Sequence, residues 1–175
     1  PRLKKLYVAG GFPGNPGISK IAENIGLNPC NAESLLNSIR FGNDKIDLVV
    51  IGPDEPLQWG VAGAFRAYGI PVFGPSQAAA EIEGSKWYGK KLMQAANIPT
   101  APFQIFEPRE FSVEVYRDAK KYCKKASYPL VLKKDGLARG KGVVECFNST
   151  QAITTLKEWE SDSSQWCRPF LIEDY

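Results

Sequence analysis

The stretch that most limits this chain is Lys133-Lys-Asp-Gly-Leu-Ala-Arg-Gly-Lys-Gly142, set between the apolar runs Val131-Leu132 and Val143-Val144. Gly136, Gly140 and Gly142 leave backbone N–H groups free of Cβ obstruction, and Lys133, Lys134, Arg139 and Lys141 put four cations within nine residues. That composition suits an anion with several oxygens, a polyphosphate above all. The phosphate loop G-x-x-x-x-G-K-[ST] does not fit, because Gly136 and Gly140 have three residues between them and Gly142 stands where Ser or Thr should be. Val143-Val144-Glu145-Cys146-Phe147 is β-branched and apolar, so strand follows loop. The reading is strand, glycine-rich loop, antiparallel strand: a hairpin flap able to close over phosphates. An ordinary hairpin turn fits the same residues.

The chain has no histidine, which excludes Ser-His-Asp and Cys-His nucleophiles, imidazole bases and His-ligated metals within its 175 residues. Any chemistry here runs on Lys, Arg, Asp, Glu and backbone dipoles. Apolar residues make up 43% and charged ones 23%, a soluble globular balance, and no apolar run reaches membrane-spanning length. A net charge of +3 is too mild to argue a nucleic-acid partner. Cys30, Cys123, Cys146 and Cys167 lie far apart with no C-x-x-C pair, and no signal peptide is visible, so reduced thiols and a cytoplasmic location are expected.

Along the chain, Leu6 to Ala9 reads as a strand closed by the Gly10–Gly17 turn. Asn31 precedes a helix with apolar positions at 35, 36 and 39. Ile46 to Ile51 is an apolar run of the kind buried on both faces of a parallel sheet. Pro56 opens a helix carrying Leu57, Val61, Ala64, Phe65 and Tyr68 on one face, with Gly69 at its far end, and Ile70 to Phe73 is again a strand. This is a βαβ unit, which places ligands at the carboxyl ends of its strands, where Asp54 and Glu55 lie. The same two acids suit the cap of the next helix. Ser76 to Ile82 is helical, and Ser85 caps a helix from Lys86 to Asn97. The helix dipole disfavours Lys86 in a first turn, which weighs against a purely structural role. Ile98-Pro-Thr-Ala-Pro102 is a natural boundary. Phe103 to Phe106 is a strand, Arg109 to Ala126 a helix, and Tyr128 to Lys133 a strand leading into the loop. Ser149-Thr150-Gln151 caps a helix to about Trp159, and Pro169 to Tyr175 is a last strand.

Ile51-Gly-Pro-Asp-Glu-Pro-Leu57, Phe73-Gly-Pro-Ser-Gln-Ala-Ala-Ala-Glu-Ile-Glu-Gly-Ser-Lys86, Asn97-Ile-Pro-Thr100 and the run Lys133 to Val143 resemble, in order and spacing, successive motifs of the glycinamide ribonucleotide synthetase (phosphoribosylamine-glycine ligase) family of the ATP-grasp superfamily. Pro13-Gly-Asn-Pro-Gly17 more loosely resembles the family's P-G-N-x-G turn. The resemblance implies an α/β fold: a partial doubly wound, parallel-sheet N-terminal domain over 1–84, a helical linker over 85–102 and the small lid domain of an ATP-grasp over 103–175. It implies a reaction that joins glycine to 5-phosphoribosylamine through a glycyl phosphate, giving glycinamide ribonucleotide, ADP and phosphate. By position, Lys86 and Lys133 match the two lysines that reach ATP phosphates, and Gly136, Gly140, Lys141 and Gly142 lie in the matching flap. Glu173 and Tyr175 match the segment that meets adenine through backbone groups. Gly52, Pro53 and Asp54 match the G-P-E turn near the ribose phosphate, and Gly14, Asn15 and Gly17 the other substrate turn.

Departures are equally visible. Asp54 replaces the usual Glu, and Lys134 and Arg139 stand where the family has Ala, either for extra phosphate contacts or for solvent. The family's first strand with G-G-R-E-H is not among these residues, nor is the later half that carries the Mg²⁺ carboxylates and the glycine site. The resemblance therefore assigns this chain no catalytic residue and no metal ligand, and implies that the piece alone is inactive. Its expected partners are ATP, Mg²⁺, glycine and phosphoribosylamine, with no nucleic acid or membrane. Two other readings stay open: a different ATP-grasp carboxylate-amine ligase, and a non-catalytic nucleotide-binding or scaffold fragment.

Overall fold

The computed structural model describes residues 3–11, 15–107, 114–137, 142–162 and 168–175. Gly14, Arg139, Gly140 and Lys141 lie outside the described residues, as does the start of the helix expected from Arg109. The chain divides into two units, Pro1–Ala80 and Glu81–Tyr175, each built on its own apolar clusters.

In the first unit, β1 (Tyr7–Val8) pairs in parallel with β2 (Glu23–Asn24), and the Glu23 and Ile25 N–H groups donate to the Leu6 and Val8 carbonyls at 2.9 and 3.0 Å. Helix α1 (Ala32–Phe41) begins at Asn31, whose Oδ1 accepts from the Ser34 N–H at 3.0 Å and satisfies one of the unbonded first-turn donors. A second parallel pair, β3 (Val49–Val50) with β4 (Val72–Phe73), is separate from the first. Between β3 and β4 the sequence predicts one helix, and the structure has two: α2 (Asp54–Gln58) and α3 (Val61–Ala67). Gly60 stands between them at φ +75°, a left-handed conformation that interrupts the helical ladder and that only glycine adopts without strain. Pro53 is the N-cap residue of α2, with Asp54 and Glu55 in its first turn. Leu35, Val61, Phe65 and Ile70 form the core against Val49, Ile51 and Val72.

The expected burial of Ile46 to Ile51 on both faces does not hold. Val50 is 64% exposed and Leu48 56%, because among the described residues the helices cover the side of the strand pair that carries Val49 and Ile51. Helix α4 (Gln77–Gly84) follows, with the Ser76 hydroxyl accepting from the Ala79 N–H, and the unit boundary falls within it.

The second unit opens with α5 (Lys86–Ala95), capped by Ser85, whose Oγ accepts from the Tyr88 N–H at 3.0 Å. Then come β5 (Phe103–Phe106), α6 (Glu114–Lys125), β6 (Leu130–Lys134), β7 (Val143–Cys146), α7 (Ser149–Ser161) and β8 (Phe170–Asp174). The four strands make one antiparallel sheet in the order β5-β8-β6-β7. The expected hairpin is β6 and β7, with Lys133 opposite Val143, and the Lys134 N–H donates to the Gly142 carbonyl at 2.7 Å. Helix α7 starts one residue earlier than read from sequence. Asn148 is its cap, accepting from the Gln151 N–H at 3.0 Å, while the Gln151 side chain accepts from the Phe147 N–H at 2.7 Å.

Side chains alternate across this sheet. One face carries Phe106, Leu130, Leu132, Cys146, Phe170 and Ile172 onto Tyr116, Ala119 and Cys123 of α6 and Ala152, Leu156 and Trp159 of α7. At the centre, Phe170 stacks on Phe106 (5.3 Å between centroids) and Tyr116 (5.1 Å) and meets Trp159 edge-on at 5.8 Å. Phe170→Ala should destabilise this unit by about 3–5 kcal/mol, the cost of losing a buried ring and leaving a cavity. Urea unfolding followed by near-UV circular dichroism measures it.

Burial in this core pushes the Tyr116 and Tyr128 hydroxyls up from 10.0 to about 12 and the Cys123 thiol from 9.0 to about 11. The folded state thus holds these protons more tightly than the unfolded chain. Their contribution to stability is complete below the unfolded values and is lost as pH rises through the window from 9.0 to about 12. Thermal midpoints measured across that window should fall with rising pH, and Tyr128→Phe should make the fall shallower.

Candidate functional site

The second face of the sheet carries Phe103 and Ile105, Val131 and Lys133, Val143 and Glu145, and Leu171 and Glu173, as the registers of the four strands require. Among these, Glu173 is a carboxylate in the core: its side chain is 5% exposed. It stands on the inner strand β8, opposite Phe103 on one side and Val131 on the other. A charge placed there is costly unless paired. Two lysines pair it: Lys133 Nζ at 2.5 Å from Oε1 and Lys90 Nζ at 2.7 Å from Oε2. The Lys133 contact is an ion pair without hydrogen-bond alignment, so Oε1 has no hydrogen-bond donor.

Lys90 projects from α5 and is held on several sides. Its ammonium donates to Thr100 Oγ1 at 2.7 Å and to the Ala101 carbonyl at 3.4 Å, and lies 5.3 Å from the centre of the Phe103 ring. Lys133 is the more open of the two, 28% exposed against 13% for Lys90, and stands near the end of β6 where the glycine loop begins.

The base of that loop is tied to the start of α5. Asp135 accepts from the Ser85 hydroxyl at 3.0 and 3.2 Å and from the Trp87 N–H at 3.0 Å, so a carboxylate sits where the helix leaves unbonded donors and positive dipole. The Asp135 N–H donates to the Pro169 carbonyl at 3.1 Å. Gly136 follows at φ +85°, and its carbonyl accepts from Lys86 Nζ at 2.9 Å. A Cβ at Gly136 would stand 3.8 Å from Arg168 Nη1, so a guanidinium also lies beside this turn. Two cations thus flank a left-handed glycine at the end of β6, an arrangement that favours a bound anion.

Lys134 takes neither of the roles left open as alternatives. It falls on the helix-covered face, 5.2 Å from the centre of the Trp159 ring and 3.7 Å from Asp162 Oδ2. Of the other expected residues, Gly142 closes the hairpin. The Tyr175 ring is exposed and packs at a tilt against Phe147, 6.4 Å between centroids. Asn15 Oδ1 accepts from the N–H groups of Gly17 and Ile18 at 2.9 and 3.2 Å, and Gly52 and Pro53 lead from β3 into α2, whose first residue is Asp54. Lys86 and Lys133 do not share a partner: the first meets the Gly136 carbonyl, the second the Glu173 carboxylate.

Sequence reasoning missed Lys90, Asp135, Arg168 and the side chain of Glu173. One signal was available for Lys90, which lies one helical turn after Lys86 on the same face of α5. Strand parity also puts Lys133 and Glu173 on one face and Lys134 on the other.

The fold and this turn define a class, an α/β protein of the ATP-grasp kind: residues 84–175 match the family described as "Phosphoribosylglycinamide synthetase, ATP-grasp (A) domain", and residues 1–83 its "N domain". The chain belongs to the phosphoribosylglycinamide synthetase family. The phosphoribosylamine–glycine ligase of Brucella melitensis biotype 1 is 44% identical over 154 residues, 87% of this chain and 33% of that protein. The enzyme of the same name from Halalkalibacterium halodurans is 38% identical over 157 residues, 90% of this chain and 34% of that protein. The crystal structure of phosphoribosylamine–glycine ligase from Thermotoga maritima superposes with a TM-score of 0.66 at 26% identity, covering 98% of this chain and 38% of that one. The chain spans about a third of the length of the curated relatives it matches.

Asp135→Ala should cost about 1 kcal/mol, as for the loss of a helix cap. Hydrogen exchange at the Trp87 amide reads the local effect and should speed up.

Proposed function

We propose that residues 81–175 grip the polyphosphate of ATP for an ADP-forming ligase that joins glycine to 5-phosphoribosylamine. The observation that carries this reading is the convergence of Lys86, Arg168 and a left-handed Gly136 at the start of the glycine loop, with Lys133 at the end of the adjoining strand. Lys133 and Lys86 neutralise phosphate oxygens, and Gly136, Gly140, Lys141 and Gly142 close the loop over them. Exchanging the Gly136 carbonyl for a phosphate oxygen keeps the Lys86 ammonium bonded while turning its charge onto the ligand. Val131 and Val143 give the nucleotide an apolar floor, and Glu173 and Tyr175 present backbone groups to the adenine. Gly14, Asn15, Gly17, Gly52, Pro53 and Asp54 meet the ribose phosphate of the amine substrate.

Bound ATP supplies the phosphoryl group that activates the glycine carboxylate. The residues of this chain bind and orient it, and they need no imidazole base. The Mg²⁺ carboxylates and the glycine site are assigned, as the family resemblance implies, to residues outside this chain, which spans about a third of the length of the relatives it matches. The same reading takes 1–84 as a partial doubly wound domain, 85–102 as linker and 103–175 as lid. Support for it comes from the two family matches and from the parallel pairs of the first unit.

Titration of the chain with ATP tests the proposal. Lys133→Ala should weaken binding by about tenfold or more, the worth of one charge-assisted contact. Lys134→Ala, whose ammonium lies over Trp159, should stay within about twofold, since an exposed or structural charge away from the ligand contributes little. Equal affinity for the Lys133 variant and the parent chain removes the phosphate role.

A further inference from the structure

Glu173 and its two lysines carry one negative and two positive charges, so the cluster has one surplus cation. Lys90 cannot be that surplus. It is the less exposed of the two, and Glu173, Thr100, Ala101 and the Phe103 ring already surround its ammonium. Lys133 has the opposite character: it is more open and adjoins the glycine loop.

We propose that Lys90 is a positioning residue for Lys133: by pairing with one oxygen of the buried Glu173 carboxylate, it leaves the Lys133 charge available to an incoming polyphosphate. Without Lys90, the carboxylate would face Lys133 as its one close cation among the described residues, in a weakly screened interior. The pair would then tighten and the cluster would become neutral. Lys133 would still be present, but its charge would be spent inside the protein. The role belongs to the Lys90 charge acting through Glu173, and Lys90 itself touches no ligand. This inference rests on the polyphosphate reading only for its consequence in binding, since the link between Lys90 and Lys133 exists without any ligand.

The test uses the 175-residue chain and its variants Lys90→Met, Lys90→Arg and the double variant K90M/E173Q. Two readouts are taken: ATP affinity, and the rate at which an amine-reactive acylating reagent labels Lys133 at fixed pH without nucleotide, followed by peptide mass spectrometry. Lys90→Met should weaken ATP binding roughly tenfold, one charge-assisted contact's worth, and slow Lys133 labelling severalfold. Lys90→Arg keeps the charge and should hold both readouts within about twofold. Removing the carboxylate as well, in K90M/E173Q, frees Lys133 and should restore both.

A purely structural Lys90 predicts otherwise, with weak binding in K90M and no recovery in the double variant, and that result overturns the proposal. So does unchanged Lys133 labelling in K90M. If the parent chain binds no ATP, the polyphosphate reading fails while the labelling comparison still decides the Lys90–Lys133 link. If K90M alone loses its circular dichroism signal, the other two variants decide. Parent-like labelling in both supports the proposal, and slow labelling in K90M/E173Q overturns it.

Discussion

A carboxylate in the middle of an apolar sheet organises the second unit. Glu173 lies on a strand flanked on both sides, where water cannot solvate it, and an unpaired charge in such a place costs several kcal/mol. Pairing with Lys133 and Lys90 offsets that cost and at the same time ties two elements together, the strand that leads into the glycine loop and the helix α5. A second link runs the opposite way. Asp135, just past the end of the same strand, reaches the first turn of α5 through Ser85 and the Trp87 amide. Helix and loop base are thereby fixed at two points by charges of opposite sense, and Lys86 is brought to Gly136 as a result.

The two adjacent lysines of β6 illustrate how geometry separates like residues. Lys133 and Lys134 have the same chemistry, yet the strand period sends them to opposite faces. Lys133 meets the buried carboxylate beside the loop, and Lys134 covers Trp159 and approaches Asp162. Composition therefore counts together two lysines that the structure puts in different surroundings. One of its lysines is a packing residue.

Local signals were legible where their physical causes are local. Asn31 and Ser85 cap helices because a short polar side chain reaches an amide three residues on, and that requirement is visible in any sequence. The β6–β7 hairpin follows from two β-branched runs joined by glycines. Gly60 was less readable: a glycine inside a helical pattern is tolerated or disruptive according to its φ, which residue type alone does not state. The burial of Ile46 to Ile51 was misjudged for a related reason. An apolar run states what a strand can bury, and its neighbours decide whether both faces are covered.

For the site, the sequence by itself determined the loop, its glycines, its cations, the lysine at the start of α5 and, through four motifs in register, the family. These depend on residue type and short spacing. Tertiary structure alone decided what each of these cations already touches. Lys86 and Gly136 are 50 residues apart in the chain, and Lys90 and Glu173 farther still, so neither pairing leaves a periodic trace in the sequence. A charge's availability is a property of what it already touches, and those contacts exist only once the sheet has placed Glu173 between its two lysines.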